Sequence, residues 1–318
     1  MDPAPRSFRV SLEESGQRLD LLLAEHLALS RSQARRLLGR GAVSVDGAIQ
    51  GTEAKGRSLG SGATVDVAPF QAPGSEHAQP EADAALRLLA SGPGWLAVDK
   101  PAGTPVHPYE PEETGSVLGA LLARHPEMQG VGEDGLRSGV VHRLDVDTSG
   151  VLLFATEQAC WQRLRQAFRD RLVEKVYRAV VSGSLEEAGT LRAGLVVARH
   201  RPAKVRVLRH EERDRARGAR EVVIDWRPLE WFGEATLVEV RPATGFLHQI
   251  RAVFAHLGHP LVGDTTYAPA VVAAAAPRHL LHASELRFAE VAAESPDPED
   301  FAGWLARARV PEPVEDES

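Results

Sequence analysis

Within Val140–Thr156, VVHRLDVDTSGVLLFAT, charge sits where packing would favour none. A polar run, His142-Arg143-Leu144-Asp145 followed by Asp147-Thr148-Ser149-Gly150, separates two short apolar segments, 139–141 and 151–155, each with strand character. Asp-Thr-Ser-Gly is turn-forming, so the expected geometry is strand, tight loop, strand, with Arg143 and Asp145 presented at a cleft. A carboxylate and a guanidinium so placed can serve a substrate. The same pair could also simply close an ordinary hairpin, because structural ion pairs occupy loops too.

Two further stretches carry groups able to join them. In 172–181, LVEKVYRAVV, a strand would put Lys175, Tyr177 and Ala179 on one face, although a tyrosine there can equally be core with its hydroxyl reaching a partner. In RPATGFLHQIR, Gly245 makes a turn and a helix from Phe246 to Leu257 places Arg251 one turn after His248. Histidines 248, 256, 259, 279 and 282 with Asp264 raise the alternative of a metal-dependent hydrolase. Gly258 and Pro260 break the helix that a His256/His259 pair would need, and no HExxH motif occurs, so no metal site is expected. The single cysteine, Cys160, excludes an intramolecular disulfide and a multi-cysteine zinc site.

Positioning these groups falls to a chain of 318 residues, 43% hydrophobic and 25% charged, long enough for more than one domain. No apolar run is long enough for a bilayer and MDPAPRSFRV lacks a signal-peptide layout, so a cytoplasmic protein is expected, away from membranes. The net charge of −7 conceals a basic region from Arg163 to Arg220 and an acidic stretch after Phe288. Concentrated basic residues can bind phosphate whatever the whole-chain sum. Residues 8–68 form a first module: a helix at 17–23, a second at 31–38 capped by Ser30 and stopped by Gly39 and Gly41, then strands at 42–46 and 64–67 with an Asp-Gly turn. Arg31, Arg35 and Arg36 fall on nearly one side of the second helix, suited to phosphate contacts. A linker follows at 69–85, then a second domain at 86–290 with strands at 95–98, 221–226, 235–240 and near Leu286 and helices at 116–124 and 158–170; irregular hairpins are expected from Arg199 to Arg220 and an acidic tail at 291–318.

The ordered set DKPAGTPVHP, HRLDVDTSG, EKVYRAVVSG, TGFLHQIR, HLGHPLVGDTTY and RHLLHASELRF resembles the RluA-type pseudouridine synthases over about residues 86–290. The order RLD, SRSQARRLL, GAVSVDG resembles the S-four-like RNA-binding module first described in a ribosomal small-subunit protein. These resemblances imply an α+β protein: a mixed, largely antiparallel sheet with flanking helices and an RNA cleft, preceded by a small α/β RNA-binding module. They imply isomerisation of uridine to pseudouridine in RNA without a cofactor, in ribosomal RNA of the large subunit or alternatively transfer RNA, by a monomer with no obligate protein partner. The rival is an RNA-binding protein that has lost catalysis.

By resemblance Asp145 is the catalytic carboxylate, acting as nucleophile or as the group that stabilises and deprotonates the sugar. It must be ionised near neutral pH, and a buried carboxylate then needs a cation close by, for which Arg251 is the candidate. Tyr177 is expected to pack against the uracil and to help remove the carbon-five proton if its pKa is lowered. Arg143 is expected to enter the RNA helix where the target base leaves it. His142, Lys100, His248, Gln249 and Leu280 are expected as supporting substrate contacts. One departure from the pattern is Phe246-Leu247, where many relatives carry an Arg-Thr pair.

Overall fold

The computed structural model describes residues 6–29, 31–70, 76–200, 202–208, 212, 216 and 218–309. The chain forms two compact units that divide between His77 and Ala78. Ser30, Pro73, Gly74, Ser75, most of the arginine-rich 209–220 tract and the tail beyond Arg309 lie outside the described residues.

In the first unit, β1 (Arg6–Arg9), α1 (Leu19–His26), α2 (Arg31–Gly39), β2 (Val43–Val45), β3 (Ala48–Gln50) and β4 (Thr64–Val67) build an antiparallel sheet of order β1-β4-β2-β3. Asp46 and Gly47 both have positive φ, 50° and 82°, as the tight turn between β2 and β3 demands. Leu19, Leu22, Leu23 and Leu38 pack with Val43, Val45 and Val65 into the core of this unit. The leucine spacing of α1 and the period-two valines are what permit it.

The second unit runs in order through β5 (Arg87–Gly92), β6 (Trp95–Lys100), α3 (Val117–Leu122), β7 (Ser149–Ala155), α4 (Gln158–Arg169), β8 (Glu174–Ser182), β9 (Gly189–His200), β10 (Ala203–Val207), β11 (Arg220–Trp231), β12 (Ala235–Pro242), α5 (Gln249–His256), α6 (Ala270–Ala274), β13 (Leu281–Phe288), β14 (Val291–Glu294) and α7 (Glu299–Ala308). Its sheet has the order β10-β9-β11-β12-β8-β13-β7-β6-β5, with β14 also on β13. Among the described residues, pairing is antiparallel except between β13 and β7. The fold is thus mixed α/β with a large, mostly antiparallel sheet preceded by a small one.

Every residue of β7 is buried, which explains its unbroken apolar run. Leu152 and Phe154 join the α3 cluster on one face, while Val151, Leu153 and Ala155 join the α4 cluster on the other. At the parallel contact Gly150 has φ +114°, and a Cβ there would lie 2.1 Å from the Ala283 carbonyl oxygen. Any side chain would push β7 off β13.

Several expected boundaries shift. Residues 139–141 contribute only an isolated bridge, Val140 to Phe154. Residues 203–207 form β10 rather than an irregular hairpin, their charged side chains alternating with buried Val205. The end of the expected linker belongs to the second unit: Ala78 is buried, and the Glu81 carboxylate accepts from Gly115 N at 2.7 Å and Ser116 N at 3.3 Å. Nor is 291–309 a tail. β14 extends the sheet, and α7 buries Phe301 and Leu305 against Val180, Leu237 and Leu280.

Candidate active site

The loop from His142 to Thr148 is fixed at each end. His142 Nε2 accepts from Leu153 N at 2.9 Å while its ring stacks on Phe168 at 4.7 Å. Burial pulls the His142 pKa down to about 3, so the ring is neutral, as an acceptor at Nε2 must be. Beyond it, Thr148 N donates to Asp145 O at 3.1 Å and closes a turn over Val146 and Asp147.

Lys100 holds that turn from within the protein. It is fully buried, and its Nζ donates to the carbonyls of Pro101 at 2.9 Å, Val146 at 2.6 Å and Thr148 at 2.8 Å. Burial lowers its pKa to about 7, yet three carbonyl acceptors match the three N–H groups of an ammonium, which the neutral amine cannot supply. We therefore assign the charged form.

Asp145 carries its carboxylate into a cleft of about 560 Å³, lined by the 141–145 segment, Lys175 and Tyr177 of β8, residues 244–251 and Leu281. Its Oδ2 lies 3.2 Å from Arg251 Nη1 and 3.9 Å from His248 Nε2. Arg251 in turn is oriented by Asp264, which takes Nε at 2.7 Å and Nη2 at 2.8 Å in a bidentate pair. Burial pushes the Asp264 carboxyl up, but Arg251 and the Thr266 N–H outweigh it and hold the group below the usual carboxylate range. Tyr267 lies under the guanidinium at 5.4 Å, accepts from Val205 N at 2.9 Å and meets His248 Nδ1 at 3.1 Å.

The approach to α5 is held by its first residue. Gln249 Oε1 accepts from Phe246 N and Thr244 Oγ1, each at 2.9 Å, and Lys175 Nζ donates to Thr244 O at 2.9 Å. His248 adopts φ +51°, a left-handed conformation that starts the helix at Gln249 rather than at the expected Phe246. Chemically, the cleft presents an oriented carboxylate beside a fixed cation, an aromatic face and an apolar wall from Phe246 and Leu247.

The family model for RNA pseudouridylate synthase matches residues 94–256, which contain most of this cleft. An uncharacterized RNA pseudouridine synthase of Synechocystis is 34% identical over 93% of this chain and 91% of its own. The chain belongs to the RNA pseudouridine synthase family. The similarity reaches ribosomal large subunit pseudouridine synthase D of Pseudomonas aeruginosa, 33% identical over 96% of this chain and 95% of that one, which supports the RluA-type assignment. Among solved structures, human RNA pseudouridylate synthase domain containing 1 superposes with a TM-score of 0.56 at 25% identity, covering 69% of this chain and 86% of that chain. The protein is thus an RNA-modifying isomerase.

In this pseudouridine synthase, Asp145, Tyr177, Arg251, Arg143, His142, His248 and Gln249 all line one cleft, whereas Lys100 and Leu280 do not. Lys100 supports the loop from behind. Leu280 is fully buried under α7, and its neighbour Leu281 faces the cleft instead, because alternate residues take opposite faces at this strand start. Tyr177 also departs from expectation: burial and the negative Asp145 raise its pKa rather than lower it. Arg143 is exposed and donates to Tyr109 Oη at 3.3 Å. Of the histidines of the hydrolase alternative, four are engaged in protein hydrogen bonds: His248 with Tyr267 Oη, His279 with Thr148 Oγ1, His282 with Ser149 Oγ and His259 with Ser182 O. Among the described residues no three His, Cys, Asp or Glu groups are arranged to hold a metal.

In the first unit, Arg18, Arg35 and Arg31 lie 3.0, 2.8 and 3.6 Å from the carboxylate of Asp20, which is fully buried. Arg36 pairs with Glu76 at 3.3 Å. Asp264, Tyr267 and Lys175 are site residues that the sequence reading did not assign to this role; the first two lie within the motif HLGHPLVGDTTY, where the signal was present.

Proposed function

We propose that this enzyme isomerises specific uridines of large-subunit ribosomal RNA, with Asp145 as its catalytic carboxylate. The observation that carries the reading is the relay Asp264–Arg251–Asp145 at the Tyr177 face of the cleft. The Arg251 guanidinium lies 3.2 Å from Asp145 Oδ2 and the His248 ring 3.9 Å from the same oxygen, so Oδ1 is the oxygen that meets the sugar. In the reaction the N1–C1′ bond breaks with its electron pair leaving on the uracil. The ring turns, C5 bonds to C1′, the C5 proton departs and N1 takes one up. Both routes, Oδ1 adding to C1′ or removing the C2′ proton, need the carboxylate ionised at this position. Tyr177 stays protonated and serves as a packing surface for the base. The C5 proton therefore leaves to another group.

The target base must leave its stack, at a cost of roughly a few kcal/mol, and exposed Arg143 at the loop is suited to fill the space. The first unit, with its arginines around Asp20, acts as an RNA-binding module, and the enzyme works as a cytoplasmic monomer. Large-subunit ribosomal RNA is favoured because relatives bearing that name align along 93% or more of the chain, the first unit included. Tritium release from 5-tritiated uridine tests this. Release from unmodified large-subunit RNA is expected; release from transfer RNA alone would redirect the substrate, and none from either would overturn the reading.

A further inference from the structure

Lys100 grips the Val146 and Thr148 carbonyls of the loop turn, and the carbonyl between them, that of Asp147, accepts instead from Arg278 Nη1 at 2.9 Å. The same Nη1 reaches the carbonyls of His279 at 3.1 Å and Leu281 at 3.2 Å, and Nη2 reaches Ser149 Oγ at 3.2 Å. One buried guanidinium thus ties the loop behind Asp145 to the start of β13. Its own orientation is set by the C-terminal helix: Asp300, in the first turn of α7, takes Nε at 2.5 Å and Nη2 at 3.1 Å. That helix is anchored by Phe301 and Leu305, which are almost completely buried.

We propose that Asp300 and Arg278 are positioning residues for the isomerisation, so that α7 sets the guanidinium and the guanidinium sets the loop carrying Asp145. The inference rests on Asp145 acting as proposed above. A planar fork held bidentately on one edge fixes the direction of its remaining N–H groups, here toward the Asp147 carbonyl two residues from the carboxylate. Without Asp300 the carbonyl bonds can persist, but the fork can turn. The Asp300 side chain is 36% exposed, so water can reach the edge of the buried Arg278 guanidinium that loses its charge partner, and the amide oxygen of an asparagine can still accept there. Activity is then expected to suffer out of proportion to stability, since a displacement of about 1 Å in a reacting group costs about 100-fold.

The test compares Asp300→Asn, Asp300→Glu and Arg278→Lys with the wild type in single-turnover pseudouridine formation, with RNA affinity and thermal unfolding measured alongside. Asp300→Asn is expected to lower the maximal rate about tenfold or more with RNA affinity within about twofold, and Asp300→Glu to recover part of the loss. Arg278→Lys keeps the charge without the fork and should show the same loss of rate, which answers the question if Asp300→Asn does not fold. A maximal rate equal to that of wild type in a folded Asp300→Asn protein, or a loss confined to RNA affinity, would overturn the relay alone. A wild-type protein that forms no pseudouridine would overturn the functional reading and the relay with it.

Discussion

Two carboxylate–arginine pairs flank the same loop, and they differ in what the arginine does with its remaining N–H groups. In the cleft, Asp264 holds Arg251, whose free edge meets the side chain of Asp145. Behind the loop, Asp300 holds Arg278, whose free edge meets backbone carbonyls at Asp147, His279 and Leu281. In the proposed function the first pair sets a cation beside Asp145 and the second sets the location of its loop. Burial separates them as well: Asp264 is completely enclosed, whereas the Asp300 side chain is 36% exposed. A buried carboxylate without its cation is expensive, and a part-exposed one can turn to water.

The sharpest challenge to this contrast is the pair of alanine variants. Each variant takes the bidentate partner from an arginine whose side chain is 7% exposed, but water can replace Asp300 at its part-exposed position and cannot replace the enclosed Asp264. Asp264→Ala should therefore destabilise the protein by about 3–5 kcal/mol, against about 1–3 kcal/mol for Asp300→Ala, read from denaturant unfolding. Equal losses would show that burial does not distinguish the two pairs.

The next effect concerns pH on the supporting side. His279, bonded through Nε2 to Thr148 Oγ1, has its pKa lowered by burial to about 3 from an ordinary 6.5. Between these values the unfolded chain binds a proton that the folded protein does not. Stability should therefore fall as pH drops through 6.5 toward 3, by up to about 1.4 kcal/mol per pH unit from this residue. Unfolding midpoints measured from pH 7 to pH 4 should show a shallower decline in His279→Gln; an unchanged slope would contradict the assignment.

A smaller effect is expected on the cleft side from Tyr177→Phe. Burial and Asp145 raise the phenol above its usual pKa, and in the proposed function Tyr177 serves the base as a packing surface. Single-turnover rates should drop less than about tenfold, where loss of a general base costs about 100- to 10,000-fold. Smallest of all is the exposed pair Arg163–Glu290, whose side chains are 46% and 48% exposed. Arg163→Ala should change stability by less than about 0.5 kcal/mol, which sets the baseline for ion pairs outside the two relays.

Much of the scaffold was legible because its periodicity is strong. The unbroken apolar run of β7, the alternation of Val238-Glu239-Val240-Arg241 in β12 and the leucine spacing of α1 each report a buried face. The polar interruption after Val141 marked the loop, and the rule that a part-buried carboxylate needs a cation pointed to Arg251, which lies 3.2 Å from Asp145. What escaped depended on three-dimensional direction. Lys100 in DKPAG is expected from the resemblance to support substrate binding, and only the fold shows it turned inward onto carbonyls. The leucine pair 280/281 divides between core and cleft by a one-residue parity that the composition of RHLLH does not carry. The acidic count after Phe288 masked the spacing of Phe301, Trp304 and Leu305, a helical stripe in its own right. The rise in the Tyr177 pKa comes from burial and from Asp145, a neighbour 32 positions away in sequence.

The most direct measurement is pseudouridine mapping across ribosomal and transfer RNA from cells with the wild-type protein, without it, and with Asp145→Ala in its place. The account predicts that defined sites in large-subunit ribosomal RNA vanish in the deletion and stay absent with Asp145→Ala. Sites that return with Asp145→Ala would contradict the role given to that carboxylate.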